Sequence, residues 1–137
     1  MNDIKLMNKA ADNIRILAAS MVEKAKSGHP GGAMGGADFV NVLFSEFLVY
    51  DPKNPAWEGR DRYFQDPGHM SPMLYSVLAL AGKFTIDELK EFRQWGSVTP
   101  GHPEVNVMRG IENTSGPLGQ GHTYAVGAAI AAKFLKA

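Results

Sequence analysis

The residues of this sequence best suited to chemistry are four histidines, and each one directly follows a glycine. Imidazole titrates close to neutral pH, so it can accept or donate a proton under physiological conditions. With 15 glycines in 137 residues, chance would give four such pairs roughly once in ten thousand sequences. The histidines are His29, His69, His102 and His122.

Proline follows two of these histidines, in Gly28-His29-Pro30 and Gly101-His102-Pro103. Proline disfavours a helical conformation in the preceding residue, so the pattern predicts extended backbone at His29 and His102. Side chains on such turns can be directed at a ligand. The alternative is that histidine simply tolerates turn geometry.

A metal site built from these histidines is not expected. The sequence has no cysteine, and the histidines are far apart along the chain. A zinc site normally includes at least one close pair of ligands.

A second candidate is the glycine-rich segment Gly116-Pro117-Leu118-Gly119-Gln120-Gly121, which precedes an apolar stretch. Glycines let a ligand approach the backbone, and the free N–H groups at the start of a helix favour an anion. No lysine follows, so this is not a Walker-type loop. A tight start to a helix is the alternative interpretation. A bound diphosphate would need a cation supplied from elsewhere, such as a divalent ion.

Five helices and at most two short strands are predicted to position these residues. Apolar spacing from Ile14 to Ala25 predicts a first helix, ended by Gly28 in a left-handed cap conformation. Residues 28–36 read as a glycine-rich turn. A second helix is predicted to carry the apolar residues from Val40 to Leu48.

Later segments carry start signals for three further helices. Ser71 and Pro72 predict a helix with serine as its N-cap, and residues 85–88 form a capping box for a short helix through Phe92. The last helix is predicted from about His122. It is apolar on nearly every side, which is typical of a buried helix and indicates an incomplete domain. The candidate strands are residues 63–65 and 111–114.

Composition excludes several classes of protein. The sequence is 45% hydrophobic, which is ordinary for a globular protein, and its formal net charge is zero. Nucleic-acid binding requires a basic excess that is absent here. The apolar runs are too short to cross a bilayer, and residues 1–13 do not resemble a signal peptide. We therefore expect a soluble cytoplasmic protein with no nucleic-acid or membrane partner.

Five segments, taken together and in order, resemble the N-terminal part of transketolase, and the similarity covers nearly the whole chain. These segments are Lys26-Ser27-Gly28-His29-Pro30-Gly31, Arg60-Asp61-Arg62, Gly68-His69, Thr99-Pro100-Gly101-His102-Pro103-Glu104 and Gly116-Pro117-Leu118-Gly119-Gln120-Gly121. The resemblance implies an α/β thiamine-diphosphate-binding fold, with a parallel sheet flanked by helices. Residues 1–137 would be the truncated N-terminal part of its diphosphate-binding domain, mostly helical with one or two short strands.

The resemblance also implies an activity. Transketolases transfer a two-carbon ketol unit from a ketose phosphate to an aldose phosphate, a reaction of the pentose phosphate pathway. Thiamine diphosphate and Mg²⁺ (or Ca²⁺) lie between two domains, usually from the two subunits of a homodimer. The protein ligands of the metal would lie outside this chain.

Roles for individual residues follow from the same resemblance. His69 and the turn Gly116, Pro117 and Leu118 would contact the cofactor, with His69 at the diphosphate. His29 and His102 would be catalytic and substrate-binding residues that hydrogen-bond the sugar and assist proton transfers.

The sequence departs from the family pattern at several points. Residues 66–71 read Asp-Pro-Gly-His-Met-Ser, where the family commonly has Ser-Asn-Gly-His-Gly-Ser, so this turn should be stiffer and more crowded. His122 stands where the family often has an aliphatic residue, and no role is assigned to it. The Gly-Asp-Gly metal motif and the activating glutamate do not occur, so the isolated chain is expected to be inactive.

Two alternatives stay open at this point. One is a related thiamine-diphosphate enzyme acting on sugar phosphates, such as deoxyxylulose-phosphate synthase or dihydroxyacetone synthase, although the paired Gly-His-Pro motifs favour transketolase. The other is a non-catalytic binding or assembly module that completes its site with another chain.

Overall fold

Six α-helices and no β-strand form in residues 2–136, the part of the chain that the structure, a computed structural model, describes. The helices are α1 (Ile4–Ala25), α2 (Pro30–Gly35), α3 (Ala37–Val42), α4 (Ser71–Leu80), α5 (Ile86–Lys90) and α6 (Gln120–Lys136). A π-helical turn, Leu43–Phe47, extends α3, and 3-10 turns occupy Gly68–Met70 and Val107–Arg109. One isolated antiparallel bridge joins Asn106 and Ile111.

Helix α1 confirms the helix predicted from Ile14 to Ala25, but it begins ten residues earlier, at Ile4, and is capped by a different residue. The prediction gave the left-handed cap to Gly28, whereas Lys26 takes that conformation with a φ of 50°. Gly28 has a φ of 133°, and a Cβ placed on it would lie 3.3 Å from the ring of Phe92. The glycine is therefore required for close packing and a positive φ rather than for capping.

The prediction of a turn over residues 28–36 was wrong, because helix α2 forms there. Pro30 occupies the first turn of the helix, where its missing N–H costs nothing. The glycines lower helix propensity, but tertiary packing of α2 on α1 and α4 compensates. This extra helix explains why six helices form where five were predicted.

Both predicted strands, residues 63–65 and 111–114, were also wrong. The two segments are joined by side-chain hydrogen bonds instead of a backbone ladder. The N–H of Gln65 donates to Oδ1 of Asn113 at 2.9 Å, and Nδ2 of Asn113 donates to the carbonyl of Gln65 at 3.2 Å. An amide side chain thus takes the place of a neighbouring strand, and residues 2–136 contain no parallel sheet.

Helix α4 is the centre of the core. Its residues Ser71–Leu78 are all buried, and the rings of Phe84 and Phe92 pack on Tyr75 at centroid distances of 5.4 and 6.3 Å. Burying each large apolar side chain contributes about 1.5–3 kcal/mol. The α1 residues of the same core are Ile14, Ala18 and Met21.

The capping box that begins α5 is confirmed. The N–H of Glu88 donates to Oγ1 of Thr85 at 3.2 Å, and the N–H of Thr85 donates to the Glu88 carboxylate at 2.8 Å. The predicted end at Phe92 was two residues too late, since the helix ends at Lys90. The chain then turns through Arg93, whose φ is 62°.

Helix α6 begins at Gln120, two residues before the predicted start at His122. The sequence pattern predicted a helix of the kind that other elements normally bury, with nothing after it to cover it. Within the described residues, Gly121 alone of this helix is buried. Its large apolar side chains are exposed, namely Val126, Ile130, Phe134 and Leu135. No helix within residues 2–136 combines the length and the hydropathy needed to cross a bilayer.

The phenol of Tyr75 offers a test of how α4 is fastened to the rest of the fold. It donates a hydrogen bond to the carbonyl of Pro100 at 2.8 Å. Tyr75→Phe should lower the free energy of unfolding by about 1 kcal/mol, because the carbonyl loses its partner. Urea unfolding measures this change. Tyr124→Phe on the exposed face of α6 is the control, and equal midpoints for the two variants would contradict the assignment.

Candidate active site

The imidazole rings of His29 and His69 lie in contact with each other. Their ring centroids are 4.8 Å apart, with the planes tilted by 48°. His29 immediately precedes α2 and has the extended backbone predicted from Pro30, with φ −127° and ψ 99°. His69 lies on the 3-10 turn that leads into α4. The structure therefore brings together two histidines that are widely separated in sequence.

Close packing between α2 and the start of α4 fixes the distance between these two rings. A Cβ placed on Gly32 would lie 3.0 Å from the sulfur of Met70, and one on Gly36 would lie 2.6 Å from the sulfur of Met73. The His69 turn was predicted to be crowded, and the side chain of Met70, which follows His69, indeed packs against Gly32 of α2. A larger residue at either glycine would require Met70 or Met73 to repack beside the His69 turn.

The turn that carries His102 is fastened to α4 by two hydroxyl groups. Oγ of Ser71 donates to the carbonyl of Gly101 at 2.7 Å, and the phenol of Tyr75 donates to that of Pro100. Ser71 was predicted to be the N-cap of this helix, and that prediction was wrong. A 3-10 turn supplies the start of the helix instead, and the serine hydroxyl bonds across to the His102 turn.

Arg93 connects the turns that carry His29 and His102, and sequence reasoning missed it. Its Nη1 donates to Oγ of Ser27 at 2.9 Å, and its backbone N–H donates to the carbonyl of Thr99 at 3.0 Å. A Cβ on Gly101 would lie 2.8 Å from its Nε. No motif identifies this arginine, because its position depends on a left-handed backbone that arginine rarely adopts.

Partial burial lowers the pKa of His102, and electrostatic repulsion from Arg93, His69 and His29 lowers it further. All of these effects disfavour the imidazolium form. His102 therefore stays neutral at physiological pH, with one ring nitrogen free to accept a proton or a hydrogen bond. It opens onto a cleft of about 830 Å³ that is also lined by Ser27, Arg93 and Glu104.

The glycine-rich segment lies beside the His69 turn. A Cβ on Gly68 would come within 2.9 Å of the Ser115 backbone and hydroxyl, so only glycine fits there. Gly116 is the first residue of the glycine-rich segment, and a Cβ placed on it would have no heavy atom within 4 Å. Leu118 is 72% exposed. Residues 116–118 therefore form an open edge next to His69.

The groups at this edge fit an anionic ligand such as a diphosphate. The buried hydroxyl of Ser115 has no hydrogen-bond partner within the described residues. A serine hydroxyl, a glycine backbone with open space and the imidazole of His69 are all suitable partners for phosphate oxygens. Within residues 2–136, no cluster of three or more His, Cys, Asp or Glu side chains could hold a metal ion.

His122 is paired with an aspartate rather than with another histidine. Its Nδ1 lies 2.6 Å from Oδ2 of Asp66, a residue that the sequence interpretation gave no role. The imidazole is 78% exposed, whereas the carboxylate is only 6% exposed.

The effect of the Arg93 charge on the pKa of His102 should be measurable. Arg93→Met should raise the pKa of His102 towards its usual value, because a nearby cation no longer disfavours protonation. Arg93→Lys keeps the charge and should leave the pKa closer to that of the wild type. Histidine NMR titration measures both changes. An unchanged or lower pKa in the methionine variant would contradict the electrostatic assignment.

Comparison with known proteins places this geometry in a family. The family model described as "Transketolase, thiamine diphosphate binding domain" matches residues 6–137. The chloroplastic Transketolase-1 of Arabidopsis thaliana is 52% identical over 137 residues, which cover 98% of this chain and 18% of that protein. The chain thus spans less than a fifth of the length of this relative.

Solved structures agree with the sequence comparison. The transketolase of Campylobacter jejuni superposes with a TM-score of 0.91 at 49% identity, over 96% of this chain and 21% of that one. A Pichia stipitis transketolase in complex with sedoheptulose-7-phosphate superposes with a TM-score of 0.87 at 45% identity, over 91% of this chain and 18% of that one. The chain therefore belongs to the family of the thiamine diphosphate binding domain of transketolases.

Proposed function

We propose that the protein containing this chain is a transketolase, which transfers a two-carbon ketol unit from a ketose phosphate to an aldose phosphate. Residues 1–137 would form the N-terminal part of its diphosphate-binding domain. The observation that carries the proposal is the convergence of His29, His69 and His102 beside the open edge at residues 116–118. The sugar phosphate in the Pichia stipitis complex supports the substrate class.

The cofactor would be held by His69 and by the turn Gly116, Pro117 and Leu118. When bound, thiamine diphosphate supplies the carbanion stabilisation needed to break and make a carbon–carbon bond beside a carbonyl. The family description supports this cofactor. The unpaired Ser115 hydroxyl and the open space at Gly116 support its place next to His69.

His29 and His102 would face the sugar and move its protons. A general base must be unprotonated when substrate binds, and it works best when its pKa lies near the operating pH. Burial and Arg93 keep His102 in that state. His29 is exposed beside it and can donate a hydrogen bond to a sugar oxygen.

The diphosphate would also require a divalent cation, which we propose to be Mg²⁺ or Ca²⁺ held by residues outside this chain. A dication would offset the charge that this segment leaves uncompensated. We further propose, from the family resemblance, a cytoplasmic homodimer of the pentose phosphate pathway. By the same resemblance, the isolated chain would lack activity, because the metal ligands and the activating glutamate would lie elsewhere.

The three histidines should differ in their effects in the full-length protein. His69→Ala should weaken binding of thiamine diphosphate, since it removes a cofactor contact. His29→Ala and His102→Ala should mainly lower turnover or sugar affinity, by about a hundredfold for a lost acid–base group. Cofactor binding is measured by calorimetry with Mg²⁺, and turnover by a coupled assay of ketol transfer.

Normal sugar kinetics in both His29→Ala and His102→Ala would contradict their assignment. A wild-type protein that binds thiamine diphosphate but transfers no ketol unit would contradict the proposed reaction. The third outcome, in which no cofactor binds at all, would reject the cofactor assignment itself.

A substitution at Gly116 can distinguish an effect on stability from an effect on cofactor binding. Gly116→Ala adds a methyl group into open space, so the free energy of unfolding should change by less than about 0.5 kcal/mol. The affinity for thiamine diphosphate should fall, because the methyl group stands where the cofactor approaches. Gly127→Ala in α6, which also points into open space, is the control and should leave the affinity unchanged. Equal affinities for the two variants would contradict the proposed approach.

A further inference from the structure

Asp66 is a nearly buried carboxylate between the His69 turn and the glycine-rich segment, and the function proposed above gives it no role. Only 6% of its side chain is exposed. Burying a carboxylate is unfavourable unless hydrogen bonds or positive charge compensate. The partners of Asp66 therefore indicate what it holds in place.

Both of its partners lie at the start of α6. The N–H of Gly119 donates to the two carboxylate oxygens at 3.1 and 3.3 Å, and Nδ1 of His122 lies 2.6 Å from Oδ2. The first N–H groups of a helix lack partners within the helix, and the helix dipole favours a negative charge there. Asp66 thus satisfies this helix start from a different part of the chain.

Packing at Gly121 fixes the same junction. A Cβ on Gly121 would lie 2.4 Å from Cβ of Asp66 and 2.8 Å from the carbonyl oxygen of Gln65. Only glycine allows this approach, so the start of α6 packs directly against Gln65 and Asp66, which precede His69 in the sequence. The position of Gly119 relative to that chain is therefore set by both packing and hydrogen bonds.

A second junction lies at the other end of the glycine-rich segment. Gln65 and Asn113 exchange two hydrogen bonds, and Gly68 lies directly against Ser115. The chain is therefore anchored before residue 116 and again at residue 119. Residues 116–118 project between the two anchors as the open edge beside His69.

An anchored edge binds a ligand more tightly than a mobile one. Fixing the backbone of a residue costs about 1–2 kcal/mol in entropy, and a segment that is already ordered avoids that cost on binding. The carboxylate also occupies the N–H of Gly119, which leaves the three preceding residues as the part that meets the ligand.

We propose that Asp66, assisted by His122, is a positioning residue that holds Gly116–Leu118 beside His69 in the conformation that receives thiamine diphosphate. This inference rests on the proposed function. It concerns the affinity for the cofactor and the order of the segment before the cofactor binds, and it gives His122 a role.

The test uses the cofactor-free full-length protein, titrated with thiamine diphosphate and Mg²⁺ in a calorimeter. Asp66→Ala should raise the Kd by about tenfold or more, since hydrogen bonds to a charged group are lost. His122→Ala should raise it by about two- to fivefold, because this exposed partner contributes less. Asp66→Asn keeps an acceptor for Gly119 and should lie between wild type and Asp66→Ala. At saturating cofactor, turnover of all three variants should stay within about twofold of wild type.

Hydrogen exchange gives a readout that needs neither cofactor nor activity. Amides of residues 116–121 should exchange about tenfold faster in Asp66→Ala than in wild type, as local opening becomes easier. Thr123→Ala, one residue beyond His122 with its hydroxyl directed at the Gln120 carbonyl, is the matched control. It should change neither exchange nor affinity.

Wild-type affinity in both Asp66→Ala and His122→Ala, or unchanged exchange in Asp66→Ala, would overturn the inference and leave the proposed function intact. A reduced binding stoichiometry with unchanged affinity would also overturn it, since this indicates a merely structural role. If Asp66→Ala fails to fold, His122→Ala decides, because its side chain is exposed. A wild-type protein that does not bind thiamine diphosphate would overturn the proposed function and this inference together.

Discussion

The burial of α4 is the constraint on which the arrangement of the histidines depends. His69 is covalently continuous with this helix through a 3-10 turn. His29 is placed by methionine side chains packed on the glycine face of α2, and His102 by two hydroxyl groups of α4. Because protein interiors are close-packed, a shift of α4 would move all three turns together. One buried helix thus positions histidines from three distant parts of the chain.

Much of the helical structure follows from local sequence signals. The apolar period of α1 and the capping box at Thr85 identify two helices correctly. The glycine-rich stretch after His29 misled the prediction, because its helix is stabilised by contacts with α1 and α4 that the sequence does not display. The segments around Gln65 and Asn113 have strand-like composition, but their backbone groups bond to side-chain amides.

The site could be predicted in part. The Gly-His-Pro pattern predicted the extended backbone that His29 has, since proline constrains the residue before it. The resemblance to transketolases supplied the roles expected of His29 and His102. Arg93, Ser115 and Asp66 were missed because their importance comes from neighbours distant in sequence. An arginine with a left-handed backbone and a serine with an unpaired hydroxyl are visible only after the chain has folded. Sequence motifs therefore reveal candidate chemical groups more readily than the residues that hold those groups in place.

The contact between Arg93 and Gly101 limits how this site can evolve. Nε of Arg93 occupies the space that any side chain at position 101 would need. A side chain at position 101 would displace the Arg93 side chain and disturb its bond to Ser27, whereas shortening Arg93 first would open the space. Substitutions at positions 93 and 101 are therefore coupled. Libraries that randomise one position at a time will underestimate the diversity this cleft can accept.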